Sequence, residues 1–149
     1  MALKFRNIDA EPTDPVRSWP TEGLVAALER GDITDWARIA VEVRRHPWGP
    51  VARRLAEALT VSRPYGTGAL MERALADARR SAEAEERAQV SQRVNDLFER
   101  SGMTRAEFAD AVGTSTSRLS TYLTGKVAPA STLLIRMERV TESAVLDGG

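Results

Sequence analysis

Between Ser115 and Thr124 the chain reads STSRLSTYLT, six short hydroxyl side chains in ten positions. A Ser or Thr hydroxyl both donates and accepts hydrogen bonds, and Thr adds a methyl group. On one surface such a set can meet the donors and acceptors of base edges, while a Thr methyl can touch that of thymine. The competing reading is a merely solvated helix face. Arg118 inside the run and Arg105 ahead of it reach further, to phosphate or guanine. Other chemistry is scarce. With no Cys, disulfides and thiolate metal sites are excluded. His46 is the single His, and a lone His cannot make a metal site. No Ser or Thr has a base constellation to activate it. Tyr65-Gly66-Thr67-Gly68 lacks the Lys and the preceding strand of a phosphate-binding loop. An enzyme is not expected, and no cofactor or metal is implied.

The hydroxyl run needs elements to present it, and the neighbouring residues spell them out. Thr104-Arg105-Ala106-Glu107 is a capping box that starts a helix. Ala106, Phe108, Ala109 and Val112 follow at helical spacing, and Gly113 comes where a left-handed residue would turn the chain. Ser115 can cap a second helix, whose inner face is Leu119 and Tyr122, and Gly125 ends it. Two short helices joined by a tight turn have the plan of a helix-turn-helix. With Leu119 and Tyr122 turned inward, Thr116, Ser117, Ser120, Thr121 and Thr124 are left largely outside.

Upstream, residues 1–20 read as an irregular leader that packs Phe5 and Trp19 on the body. Residues 21–82 read as a small helical module. Its first helix is capped by Thr21 and closed by Gly31. Its second is capped by Thr34, carries Trp36, Ile39, Ala40 and Val43 on one face, and stops at Pro47. Pro50 suits the first turn of a third, with Val51, Leu55, Ala58 and Leu59 buried. From about Gly68 to Arg100 the helical pattern persists, as one long helix or as two hinged near Ser81. Its middle, EAEERAQ over 83–89, is polar enough to be a solvated connector, so the domain boundary falls there. Trp19, Trp36 and Trp48 suit core packing, with an aromatic docking surface as the alternative. Arg53-Arg54 and Arg79-Arg80 suit solvated helix faces rather than a second DNA site. No strand-like alternation is visible, so the fold is expected to be all-α.

Residues 88–145 resemble the phage repressor/Cro-like (XRE) DNA-binding domain. The resemblance rests on Phe108, Ala109, Val112, Gly113, Leu119, Tyr122 and the closing Gly125-Lys126. It implies a lambda-repressor-like helix-turn-helix domain over 83–149, preceded by the small helical module and the long connecting helix. It implies base-reading roles for Thr116, Ser117 and Thr121, with Arg118 and Ser120 as further candidates. It places Arg105, Thr124 and Lys126 at phosphate, with Ser115 beside them. Family members usually have five helices. Here Ser131 caps one further helix with Leu133, Leu134, Met137 and Val140, and a fifth is missing or vestigial.

Charge bounds the affinity. The chain has 21 basic and 21 acidic residues. Residues 81–149 hold 8 basic against 10 acidic residues, a net of −2. The motif 104–126 sets Arg105, Arg118 and Lys126 against Glu107 and Asp110, a net of +1. Weak attraction to the DNA backbone follows, and a single head should bind poorly. The expected partners are therefore double-stranded DNA and a second copy of the chain, with dimerisation through the N-terminal module or the 68–100 helix. An antitoxin-like autorepressor whose residues 21–80 bind a toxin is the alternative. No apolar run approaches the roughly 18 residues of a membrane span, and MALKFRNIDAEP has no signal-peptide core. A cytoplasmic location is expected.

Overall fold

Side-chain caps start three of the seven helices, at Asp32, Thr104 and Ser115. The computed structural model describes residues 2–148, and among them seven α-helices and one 3-10 turn form with no strand. The helices are α1 (Thr21–Arg30), α2 (Ile33–Arg45), α3 (Pro50–Val61), α4 (Thr67–Ser101), α5 (Arg105–Val112), α6 (Thr116–Leu123) and α7 (Ser131–Gly148). The chain is all-α, and none of its described helices is long and apolar enough to cross a membrane. It divides into two compact units, Met1–Ala82 and Glu83–Gly149. α4 is a single 35-residue helix by its backbone bonds, and its polar stretch 83–89 is exposed.

In the first unit α1, α2, α3 and the start of α4 close on Trp19, Leu24, Leu28, Ile39, Val43, Leu55 and Met71. Each of these is almost wholly removed from water, which is where the unit's hydrophobic stabilisation arises. The leader belongs to this core. Phe5 meets Trp19 edge to face at 5.1 Å. Arg38 donates to the carbonyls of Pro12 and Asp14 and lies 5.0 Å from the Trp19 ring centre. Arg54 donates to the carbonyls of Arg17 and Trp19.

Several local expectations need correction. Thr21 is not the cap of α1. Pro20 occupies that position, and the Thr21 hydroxyl donates instead to Glu57 at 3.0 Å. The cap of α2 is Asp32, not Thr34, because its carboxylate accepts from the N–H groups of Thr34 and Asp35. Asp35 returns the bond to the Asp32 N–H, completing a capping box built on two acids. Among the three Trp residues only Trp19 is fully buried. Trp36 is half-buried and donates through Nε1 to Ala27 O at 2.8 Å. Trp48 is 46% exposed, with the Arg79 guanidinium 5.3 Å from its ring centre. Arg54 and Arg79 are not simply solvated, since each binds loop carbonyls.

The second unit is built from residues 83–101 of α4 with α5, α6 and α7. Its core is Val94, Leu97, Phe108, Ala109, Val112, Leu119, Leu123 and Met137. Phe98 packs edge-on against Phe108 at 5.5 Å. Arg93 holds Glu138 through two nitrogens, at 3.1 and 2.6 Å, which ties α4 to α7. Thr141 is fully buried in α7 and satisfies its hydroxyl on Leu97 O at 2.8 Å, as most buried polar groups do. Four helices complete this unit among the described residues.

Candidate nucleic-acid interface

α5 begins with the reciprocal bonds its sequence encodes. The Glu107 N–H donates to the Thr104 hydroxyl, and the Thr104 N–H donates to the Glu107 carboxylate, both at 3.2 Å. The Thr104 hydroxyl, and after it the Thr104 backbone N–H, hold the Glu107 carboxyl below its usual pKa. At the other end Gly113 adopts φ +81°. Its N–H bonds to Asp110 O, and the next N–H, of Thr114, reaches back to Ala109 O at 2.9 Å. That pair of bonds is a Schellman turn, and it swings the chain into α6.

α6 starts at its cap, Ser115, whose oxygen accepts from the Arg118 N–H at 3.1 Å. Leu119 and Leu123, four apart, are its buried residues. Tyr122, expected inside, is only half-buried. Both spacings fall on one helix face, and the longer one points deeper. The far end of α6 is fixed by α4. Leu123 O accepts from Ser91 Oγ at 3.0 Å and from Asn95 Nδ2 at 2.7 Å. Beyond it Gly125 has φ +79°, and a Cβ there would lie 3.3 Å from Ser91 Cβ.

The named polar residues divide by exposure. Ser115, Thr116, Ser117, Arg118 and Thr124 are exposed, as are Arg105 and Lys126. Ser120 and Thr121 are half-buried, so these two are less open than expected. The Thr121 hydroxyl donates to Arg118 O at 2.6 Å, which leaves its oxygen lone pairs and methyl group outward-capable. Thr124 donates more loosely, to Thr121 O at 3.3 Å. Arg105, Arg118 and Lys126 have no carboxylate within salt-bridge distance among the described residues. Three cations and a row of hydroxyls are thus carried by α5, α6 and the loop after α6.

Sequence reasoning missed Ser91 and Asn95. They interrupt the apolar pattern of α4 four residues apart, a signal that polar groups serve a partner on that face, but the partner lies 28 to 32 residues away.

The helix-turn-helix family model matches residues 95–144. The match takes in the end of α4, all of α5 and α6, and most of α7. No curated protein and no solved structure matches the chain.

Proposed function

We propose that the chain is a sequence-specific repressor reading the major groove with α6, from the premise that residues 95–144 are a helix-turn-helix domain of the XRE, lambda-repressor-like type, a DNA-binding domain of transcription regulators. The observation that carries the reading is the division of α6 itself. Leu119 and Leu123 go to the core, Thr116, Ser117 and Arg118 stay outside, and Ser120 and Thr121 are half-buried between them. Thr116, Ser117, Ser120, Thr121 and Arg118 face base edges. Thr121 acts as an acceptor, because its proton is already given to Arg118 O. Arg105, Ser115, Thr124 and Lys126 face phosphate. Ser115 spends its oxygen on the cap, and its proton remains for a phosphate oxygen.

The reader is a homodimer working in the cytoplasm, with two heads on half-sites about one helical turn apart. The motif's small positive charge supports this, since one head alone gains little from phosphate. Sedimentation equilibrium that gives a monomer at high micromolar concentration refutes it.

Fluorescence anisotropy on DNA from upstream of the gene, against a scrambled duplex, tests the roles. Ser117→Ala or Thr121→Ala is expected to lower cognate affinity by roughly fivefold, the worth of about one hydrogen bond, and to leave scrambled DNA unaffected. Equal losses on both duplexes would refute base reading. Lys126→Ala is expected to weaken both duplexes alike and to reduce the salt slope by about one. An unchanged slope would remove Lys126 from the phosphate contacts.

A second reading is an antitoxin-like autorepressor whose residues 21–80 hold a protein partner. It is favoured by apolar side chains of α2 that the core does not cover, Ile33 above all. A neighbouring gene product that co-purifies with the chain, and is lost when residues 1–80 are removed, would support it.

A further inference from the structure

α2 carries two apolar stripes. Trp36, Ile39 and Val43 serve the core. Ile33, Ala37 and Val41, each four residues from the next, do not. They line an open groove of about 710 Å³ with Arg17, Arg38 and Arg45. Ile33 is 75% exposed and Val41 38%. A single exposed apolar residue means little, but a stripe beside a concavity marks an interaction surface.

We propose that this groove binds an acidic amphipathic helix of a partner protein. The inference rests on reading residues 21–80 as a partner-binding module and is independent of DNA reading. Ile33 to Val41 spans about 12 Å of helix axis, a length that the apolar edge of a two- to three-turn helix covers by the helix-in-groove mode. Charge selects the occupant. No carboxylate lies within salt-bridge distance of Arg17, Arg38 or Arg45 among the described residues. Arg38 is held by neutral carbonyls and the Trp19 ring and has no carboxylate partner, so the charge it adds to the rim is not neutralised by an acid. Glu42 is the one carboxylate residue on the lining, so the rim stays positive by two charges. A second copy docked by two-fold symmetry would set the same three guanidiniums against themselves. Nucleic acid would answer the charge and leave the stripe in water. A helix with leucines on one edge and carboxylates beside them satisfies both.

The test uses the full chain, isotope-labelled for amide NMR, and two helical peptides with the same Leu stripe. One is flanked by Glu and the other by Lys. The Glu peptide is expected to give saturable shifts at Ile33, Ala37 and Val41, with about tenfold tighter binding than the Lys peptide. Val41→Glu should abolish those shifts, and Arg17→Glu with Arg45→Glu should reverse the preference. All three residues are exposed, and unchanged spectra elsewhere verify that the variants fold. Equal binding of both peptides overturns the charge argument. No shift with either peptide, or shifts only with phosphatidylserine vesicles, overturns the proposal. A natural partner that binds residues 21–80 and ignores Val41→Glu also overturns this site, while the partner-module reading survives.

Discussion

Phe108→Ala is expected to destabilise the C-terminal unit by about 3–5 kcal/mol, the usual cost of deleting a buried aromatic ring. Phe108 has no exposed surface and lies against Phe98, within a core shared with Leu97, Leu119 and Met137. The loss is large for a unit of this size, because domains hold only about 0.05–0.15 kcal/mol per residue in reserve. The measurement is urea unfolding followed by helical circular dichroism, with DNA binding assayed in parallel. A partial loss of helix at low urea, together with loss of specific binding, is the expected result. An unchanged transition would mean that Phe108 is not the centre of that core.

Gly113→Val is expected to cost about 1–3 kcal/mol in the same unit, for a different reason. A Cβ at Gly113 would meet no atom within 4 Å, so crowding contributes nothing. The cost is the backbone angle, φ +81°, which an L side chain resists and a β-branched one resists most. The substitutions should therefore rank by conformational tolerance, with Asn mildest, Ala intermediate and Val worst. Gly125 provides the contrast. Its φ is +79° and its Cβ would also press on Ser91, so there even Ala carries a contact penalty. Melting temperatures for the Gly113 series decide the matter. A Val variant that melts with the parent chain would refute the left-handed turn.

These two positions also show what a sequence can reveal. Thr104, Glu107, Gly113 and Ser115 act on backbone groups within a few residues of themselves, so their signals are complete in the local string. The helix-turn-helix was legible for that reason, and so was the all-α fold. Choices among near-equivalent local options were less so. Asp32 and Thr34 both suit a cap, and the carboxylate took it from just ahead of the helix, accepting from the N–H groups of Thr34 and Asp35. Tyr122 and Leu123 both suit the inner face of α6, and periodicity does not separate them. Contacts between distant segments were invisible. Nothing near Trp48 foretold Arg79 against its ring, and nothing near Leu123 foretold Ser91 and Asn95. The exposed stripe of α2 was not separable in the string, because Ile33, Ala37 and Val41 keep helical spacing just as the core-facing Trp36, Ile39 and Val43 do. The candidate residues were named from their types and positions, whereas the half-burial of Ser120 and Thr121 depends on packing.

The two bonds on Leu123 O have a bearing on how quickly and how selectively α6 can act. A recognition element that fluctuates must be immobilised at encounter, and that ordering opposes association. Here the end of α6 is fastened to α4 by Ser91 and Asn95 before any ligand arrives. Under the reading proposed above, the hydroxyl row would meet DNA with the C-terminal end of its helix already positioned. On the proposed reading, the orientation in which α6 would be presented is set in part by Ser91 and Asn95, two side chains of α4 outside the hydroxyl row.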